Sequence, residues 1–314
     1  MKQYIKYLTA VLILAFVIFE VIIFAIICYP KDVFDSAYQN VIVDKYRILQ
    51  NTESPKIIVV SGSSSAFGLD QELLEKESGY NVVNLGLHAS FGHLFNSELA
   101  KENINRGDIV LLGYEYIWQD EDGFESLGQD LIMTGIDDNI DIYKHIPVDH
   151  WKDFVGFIFK YAEKKYSFGG SSGIYSREAF DQQTAQMTMD RQYVMGVPYK
   201  KEAFGIIDIT GVQISENSIN YLSEYKKYVE SRGANVYFIS PPILKRAIAC
   251  DYQEFENLKE QEIELIGIPY ISNPEDYFFE DEYMSNSIYH CSTEGEKKRT
   301  ELLIKDLRRA DIIQ

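Results

Sequence analysis

The stretch KIIVVSGSSSAFG, residues 56–68, decides the fold prediction. Its first part is a short apolar run rich in β-branched residues, which is typical of a strand buried on both faces of a parallel sheet. Glycine and serine follow at once, and a helical pattern begins near Asp70. A buried strand, a Gly/Ser turn and a helix together form the opening unit of a doubly wound sheet.

The same alternation returns further along the chain. Strands are predicted at 80–87, 108–116, 235–242 and 268–272, and helices at 90–104, 219–232 and 293–309. This order predicts an α/β fold, a three-layer α/β/α doubly wound parallel sheet. The segment at about 119–211 breaks the rhythm and is predicted to be an insertion beside or over the site.

An apolar segment near the N-terminus, LTAVLILAFVIFEVIIFAIIC at 8–28, is long enough to cross a bilayer as a helix. Lys2 and Lys6 precede it, which predicts a cytoplasmic N-terminus and an extracytoplasmic C-terminal domain. A cleaved signal peptide is the alternative, but no small-x-small cleavage site follows the run. The predicted organisation is therefore a cytoplasmic N-terminus and membrane anchor at 1–29, a juxtamembrane linker at 30–54 and an α/β domain at 55–314.

Glu20 lies in the middle of the predicted membrane segment. An ionisable side chain there costs a few kcal/mol unless it is paired, protonated or turned towards another helix. Two interpretations stay open: Glu20 contacts a membrane partner, or it is tolerated as a neutral acid in an otherwise apolar helix.

Charge and cysteine content exclude several classes of function. The chain has 48 acidic and 30 basic residues and a net charge of −18, which disfavours binding to nucleic acid. Its three cysteines, at 28, 250 and 291, match neither a disulfide framework nor a zinc spacing. No Gly-Lys-Ser/Thr sequence follows the Gly/Ser turn, so a nucleotide site is not predicted. We predict no metal and no cofactor.

Polar residues collect where the predicted strands end, which is where doubly wound sheets bind ligands. The first strand ends in Ser61-Gly62-Ser63-Ser64-Ser65, the second carries Asn84 and His88-Ala89, and the third carries Glu115. His290 stands just before the last helix. A serine becomes a nucleophile when an imidazole accepts its proton, so we expect Ser63 and His290 to meet at one rim. The alternative is that the serines only cap the following helix.

This arrangement resembles the SGNH (GDSL-like) hydrolase superfamily, from about 56 to 307 with the insertion outside the match. The family's Gly-Asp-Ser turn corresponds to Ser61-Gly62-Ser63, which makes Ser63 the expected nucleophile and Ser64 the alternative. Asn84 corresponds to the family's Asn, and Ala89 falls at the spacing of the Gly whose amide binds the oxyanion. The resemblance implies an SGNH/flavodoxin-like sheet.

Two family positions are occupied differently. Glu115 stands where the family has an Asn oxyanion donor, and an ionised carboxylate cannot donate a hydrogen bond. Three interpretations of Glu115 stay open: loss of catalysis, other supports for a Ser–His pair, or a protonated or otherwise changed role. The family's Asp three residues before the histidine is Ser287 here, so Asn286 or Asp281 is the candidate that orients His290.

The predicted function is a membrane-anchored extracytoplasmic serine esterase or O-acyltransferase acting on acyl groups of a cell-surface glycan or small ester. The anchored architecture resembles accessory proteins of surface-polymer O-acylation, which implies a membrane-bound O-acyltransferase as a partner. The alternative is a non-catalytic SGNH-like module that binds glycan or docks on such a partner. Aromatic residues of the inserted region, with Trp118 and Trp151, would stack on sugars or simply fill a core.

Overall fold

A computed structural model describes residues 2–116, 123–191 and 205–314. Trp118 and parts of the predicted insertion lie outside these ranges. The helices are α1 Lys2–Cys28, α2 Val41–Asn51, α3 Ser63–Ala66, α4 Gln71–Ser78, α5 His93–Ala100, α6 Gln129–Ile136, α7 Trp151–Ser167, α8 Glu216–Ser231, α9 Gln253–Ile266 and α10 Thr293–Arg309. The strands are β1 Lys56–Ser61, β2 Asn81–Asn84, β3 Ile109–Gly113, β4 Asn235–Phe238, β5 Ile243–Leu244 and β6 Phe278–Phe279.

A four-stranded parallel sheet of order β2-β1-β3-β4 forms the centre of the domain. Val59 of β1 pairs with Asn84 of β2, and Ser61 of β1 pairs with Gly113 of β3. The α/β class and the parallel sheet predicted from the sequence are thus confirmed. Because the register brings the carboxyl ends of these strands together, the residues that follow them meet at one edge.

Alternating side chains of β1 enter two different clusters of buried apolar residues. Ile58 and Val60 belong to the larger cluster, which includes residues of α2, α5 and α8. Ile57 and Val59 point the other way and pack with residues of α4 and α10, such as Leu303. The strand is buried on both sides, which explains why its sequence is an uninterrupted apolar run.

The structure corrects two details of the strand assignment. The predicted strand at 268–272 makes only an isolated bridge to β4, between Tyr270 and Phe238. A second parallel pair, β5 with β6, was not predicted because each strand has only two residues. Such short pieces carry no detectable period in the sequence.

Helix α1 has 27 residues and is long and apolar enough to cross a membrane. The C-terminal end of α1 is held to the domain by Lys165 of α7. The Lys165 Nζ donates to the carbonyl oxygens of Ile27 at 2.8 Å and Pro30 at 3.1 Å. It also lies 2.8 Å from Asp137 Oδ1, and both side chains are almost fully buried. This ammonium therefore caps α1 and connects it to α6 and α7.

Candidate functional site

Ser63 is the first residue of the short helix α3, which follows β1 after Gly62. It lies at the edge of the sheet where the strands end. Its Oγ lies 2.8 Å from Nε2 of His290, although the two residues are 227 positions apart. The neighbouring serines are directed elsewhere. Ser64 Oγ bonds Ser61 Oγ at 3.0 Å, and Ser65 Oγ accepts a hydrogen bond from Arg299 at 3.1 Å. Ser63 is therefore the hydroxyl of this turn that faces an imidazole.

The other nitrogen of His290 faces an amide. His290 Nδ1 lies 3.0 Å from Asn286 Oδ1, and Asn286 Nδ2 donates to the Tyr175 hydroxyl at 2.8 Å. Because an amide oxygen only accepts, Nδ1 carries the proton and Nε2 is free to accept the proton of Ser63. The Ser63–His290–Asn286 row has the hydrogen-bond direction that nucleophile activation requires.

The ring of His290 is enclosed by protein. Phe67 of the same β1–α4 connection stacks on it, with ring centroids 4.3 Å apart. Burial lowers the pKa of His290 to about 3, and the positive charges of His88 and Arg191 act in the same direction. The imidazole is consequently neutral at physiological pH, so its Nε2 can accept a proton, although burial makes it a weaker base than a free imidazole.

Glu115 lies immediately beside the Gly/Ser turn that follows β1, residues 61–65. Its Oε1 accepts the backbone N–H of Ser64 at 2.8 Å. A Cβ placed on Gly62 would lie 2.4 Å from Glu115 Oε2 and 2.8 Å from the Ala89 methyl. As long as glutamate occupies 115, the turn therefore requires glycine at 62, because the carboxyl group fills the space of a side chain there. This contact also places Ala89 beside the turn.

Burial raises the pKa of Glu115, against the hydrogen bonds from Ser64 and the charge of Arg299, which lower it. Glu115 Oε2 is buried and has no hydrogen-bond partner among the described residues. A carboxyl group in such surroundings tends to remain neutral, since an ionised oxygen would lack both water and a donor.

Asn84 connects two loops at the site. Its Nδ2 donates to the Ser65 carbonyl at 2.9 Å, and its Oδ1 accepts the Gly86 N–H at 3.0 Å. This side chain holds the Gly/Ser turn that follows β1 against the end of β2. The structure thus gives Asn84 a positioning contact with the protein.

The candidates for orienting His290 are separated by the structure. Asn286 contacts the imidazole, whereas Asp281 forms an ion pair with Arg246 at 2.8 Å. Of the two candidates, the structure thus favours Asn286 as the residue that orients the histidine. The place of Asp281 in a short helical turn, Asp281–Tyr283, directs it to the basic side chain that follows β5.

Sequence reasoning missed the aromatic residues that surround the histidine. Tyr175 comes from the region predicted to be inserted, and its hydroxyl lies 3.5 Å from His290 Nδ1. Nothing in the sequence distinguishes Phe67 from an ordinary core aromatic residue. The only available signals were the abundance of tyrosine in that region and the closeness of Phe67 to the turn, and neither specifies a contact with residue 290.

The remaining candidates lie away from the Ser63–His290–Asn286 row. Glu20 is exposed within α1, and Trp151 begins α7 with its side chain partly exposed. Across the described ranges, no group of three or more His, Cys, Asp and Glu side chains is arranged to hold a metal ion. No protein-family model matches the chain, and a comparison with curated proteins gives no significant match.

Proposed function

We propose that this protein is a membrane-anchored serine esterase or O-acyltransferase that acts on acyl groups of a cell-surface glycan. The observation that supports this most directly is the row Ser63–His290–Asn286, with contacts of 2.8 and 3.0 Å. Together with the turn at the end of a parallel strand, it also supports an SGNH-type three-layer domain.

In the proposed reaction, Ser63 Oγ attacks the acyl carbonyl while His290 Nε2 takes its proton. Backbone amides near Ser63 and Ala89 stabilise the oxyanion. The tetrahedral intermediate expels the alcohol, which receives the proton from His290 and leaves an acyl-Ser63 ester. His290 then deprotonates water or a glycan hydroxyl, which attacks that ester and regenerates Ser63.

A fluorophosphonate probe tests this proposal. The purified full-length protein is expected to react covalently at Ser63, and mass spectrometry of the labelled peptide identifies the residue. Labelling at Ser64 would move the nucleophile by one position. No labelling of folded protein, together with no hydrolysis of short acyl esters, would contradict a serine-type enzyme.

Asn286 provides a prediction about the rate. An amide at this position sets the tautomer of His290 but adds no charge to stabilise the imidazolium that forms during attack. Asn286→Asp is expected to raise the rate of probe labelling by about 10- to 100-fold, because a nearby carboxylate favours the charged form of the ring. Rates of labelling measured for wild type, Asn286→Asp and Asn286→Leu check this, with Leu expected to be the slowest. Equal rates in all three would show that Asn286 has no part in the chemistry.

Glu115 provides a prediction about pH. In the proposed mechanism its carboxyl group is neutral, because a negative charge beside the turn would repel the oxyanion. An acid with a raised pKa is neutral below that pKa, so activity should fall by about tenfold per pH unit once the pH exceeds the pKa of Glu115. Glu115→Gln keeps an acceptor for the Ser64 amide and cannot ionise, so its activity should not show this alkaline fall. The measurement is the pH profile of ester hydrolysis for both proteins. A profile that keeps its alkaline fall in Glu115→Gln would exclude Glu115 as the group responsible.

The anchor supports a location in the cell membrane, with the N-terminus cytoplasmic and the α/β domain outside. By resemblance we propose that a membrane-bound O-acyltransferase is its partner and that Glu20 contributes to the contact. Accessibility of N- and C-terminal tags from either side of the membrane tests this orientation.

A second candidate function is a non-catalytic module that binds glycan or docks on such an acyltransferase. The presence of Glu115 and Ser287, where the resembled family has Asn and Asp, favours it. In a deletion strain, rescue by Ser63→Ala/His290→Ala with loss of rescue by Glu20→Leu would support this role over catalysis.

A further inference from the structure

Helix α7 has apolar residues on two faces, about 100° apart around the helix axis. Phe154, Ile158 and Tyr161 are buried and face the domain. A second set of apolar residues points outwards at helical spacing and is called here the outer stripe. The outer stripe consists of Val155, Phe159, Ala162 and Tyr166.

The outer stripe is unusual for a surface in contact with water. Phe159 is 66% exposed and Tyr166 is 85% exposed, and they lie seven residues apart on the same side of α7. A helix at the surface of a domain normally presents polar residues outwards. The inner residues already supply what α7 needs to pack on the domain, so the outer stripe requires another explanation.

The position of α7 relative to α1 identifies its surroundings. A groove of about 300 Å³ runs between them, lined by Ile22, Ala25 and Ile26 of α1 and by Ala162 and Tyr166 of α7. The apolar segment 8–28 of α1 is about 31 Å long, close to the hydrocarbon thickness of a bilayer. The end of α1 that contacts α7 therefore lies near the boundary between acyl chains and headgroups when this segment spans the bilayer.

The amino-acid composition of α7 is typical of a helix at the boundary between acyl chains and headgroups. The helix has four lysines and two acidic residues; Lys164 and Lys165 pair with aspartates of the domain, and the other two lysines are free to reach lipid headgroups. Lys152 and Lys160 are both exposed, on the flank of the outer stripe that is turned away from the buried face. Tyr29, at the end of α1, is 64% exposed close to Tyr166. Aromatic rings and lysines together are typical of segments at a membrane interface that contains anionic lipids.

We propose that α7 is an interfacial helix, with its outer stripe inserted at the boundary between headgroups and acyl chains of an anionic bilayer. The inference rests on the anchoring by α1 that forms part of the proposed function. The membrane thus contacts the domain at two places, the emerging α1 and the length of α7. Since Lys165 holds these helices together, the domain keeps one orientation on the bilayer.

Fluorescence quenching in nanodiscs tests the proposal on the full-length chain. Cys250 is replaced by serine, and single cysteines are introduced as Phe159→Cys, Tyr166→Cys, Glu224→Cys and Leu12→Cys and labelled with an environment-sensitive dye. Glu224 on α8 is the control, because its side chain is 72% exposed and lies outside α7. Leu12 reports on the anchor itself. The discs contain phosphatidylcholine and phosphatidylglycerol with a spin label near the headgroup or deep in the acyl chain.

We expect shallow spin labels to quench the dye at 159 and 166 at least threefold more than at 224, and deep labels to quench the dye at 12. Quenching at 12 without excess quenching at 159 and 166 overturns the interfacial helix and leaves the anchor intact. Absence of quenching at 12 overturns the anchor and with it this inference. If the dye at 159 is shielded from the spin labels only in discs that hold two chains, residue 159 lies in a homodimer contact. This result also overturns the proposal.

Discussion

Ser63→Ala is expected to abolish fluorophosphonate labelling and to reduce ester hydrolysis by roughly 10⁴-fold, to background, because the attacking oxygen is removed. His290→Gln should have a comparable effect, since no other base contacts Ser63 in the described structure. Hydrolysis of a short acyl ester and labelling by the probe measure both changes.

Ser64→Ala is the matched control for this experiment. Ser64 Oγ is fully buried and bonded to Ser61, so its loss should leave labelling within about threefold of wild type and lower stability by roughly 1 kcal/mol. If Ser63→Ala retained activity and Ser64→Ala lost it, the contact between Ser63 and His290 would not be catalytic. Thermal unfolding of each variant shows whether a loss of activity reflects a loss of fold.

Lys165→Met is expected to destabilise the domain by about 3–5 kcal/mol, because Asp137 would remain buried without its cation and two carbonyls would lose their donor. For a domain of this size the melting temperature should fall by roughly 6–15 °C. Thermal unfolding in detergent micelles measures the change. A spin label on α1 should also become more mobile, since the helix would lose its cap.

Lys164→Met is the control for the same helix. Lys164 pairs with Asp130 at 2.7 Å, but both side chains are partly exposed, so the loss should be no more than about 1 kcal/mol. The double variant Lys165→Met/Asp137→Asn should lose less stability than Lys165→Met alone, because the charge that would be left unpaired is also removed. Similar melting temperatures for the Lys164 and Lys165 variants would show that the buried pair does not stabilise the domain.

The sequence was sufficient for the central part of the fold, for physical reasons that particular residues illustrate. The apolar run Ile57–Val60 is typical of a strand buried on both faces of a parallel sheet, and the turn after it is recognisable from its glycine and serines. Because parallel strands end at one edge, the polar residues that follow β1 and β3 are brought together there, as the contact between Gly62 and Glu115 shows.

Other features depend on contacts that no local pattern encodes. Whether Asn286 or Asp281 lies beside His290 depends on the path of the chain before the histidine. In the structure this path brings the Asp281 carboxylate into an ion pair with Arg246. Tyr175 reaches the histidine from a region without sheet periodicity, so its position depends on tertiary packing. The pairing of β5 with β6 is equally non-local, since two-residue strands form only where the surrounding chain holds them.

The close contact between Gly62 and the Glu115 carboxyl makes these two positions interdependent during evolution or design. Any side chain at 62 requires a shorter one at 115, so single substitutions at 62 should be rejected while a paired exchange is accepted. Gly62→Asp combined with Glu115→Asn moves the carboxyl group from one loop to the other and creates the residue pair of the resembled family. Relatives of this protein are therefore expected to carry one arrangement or the other, and mixtures of the two should be rare.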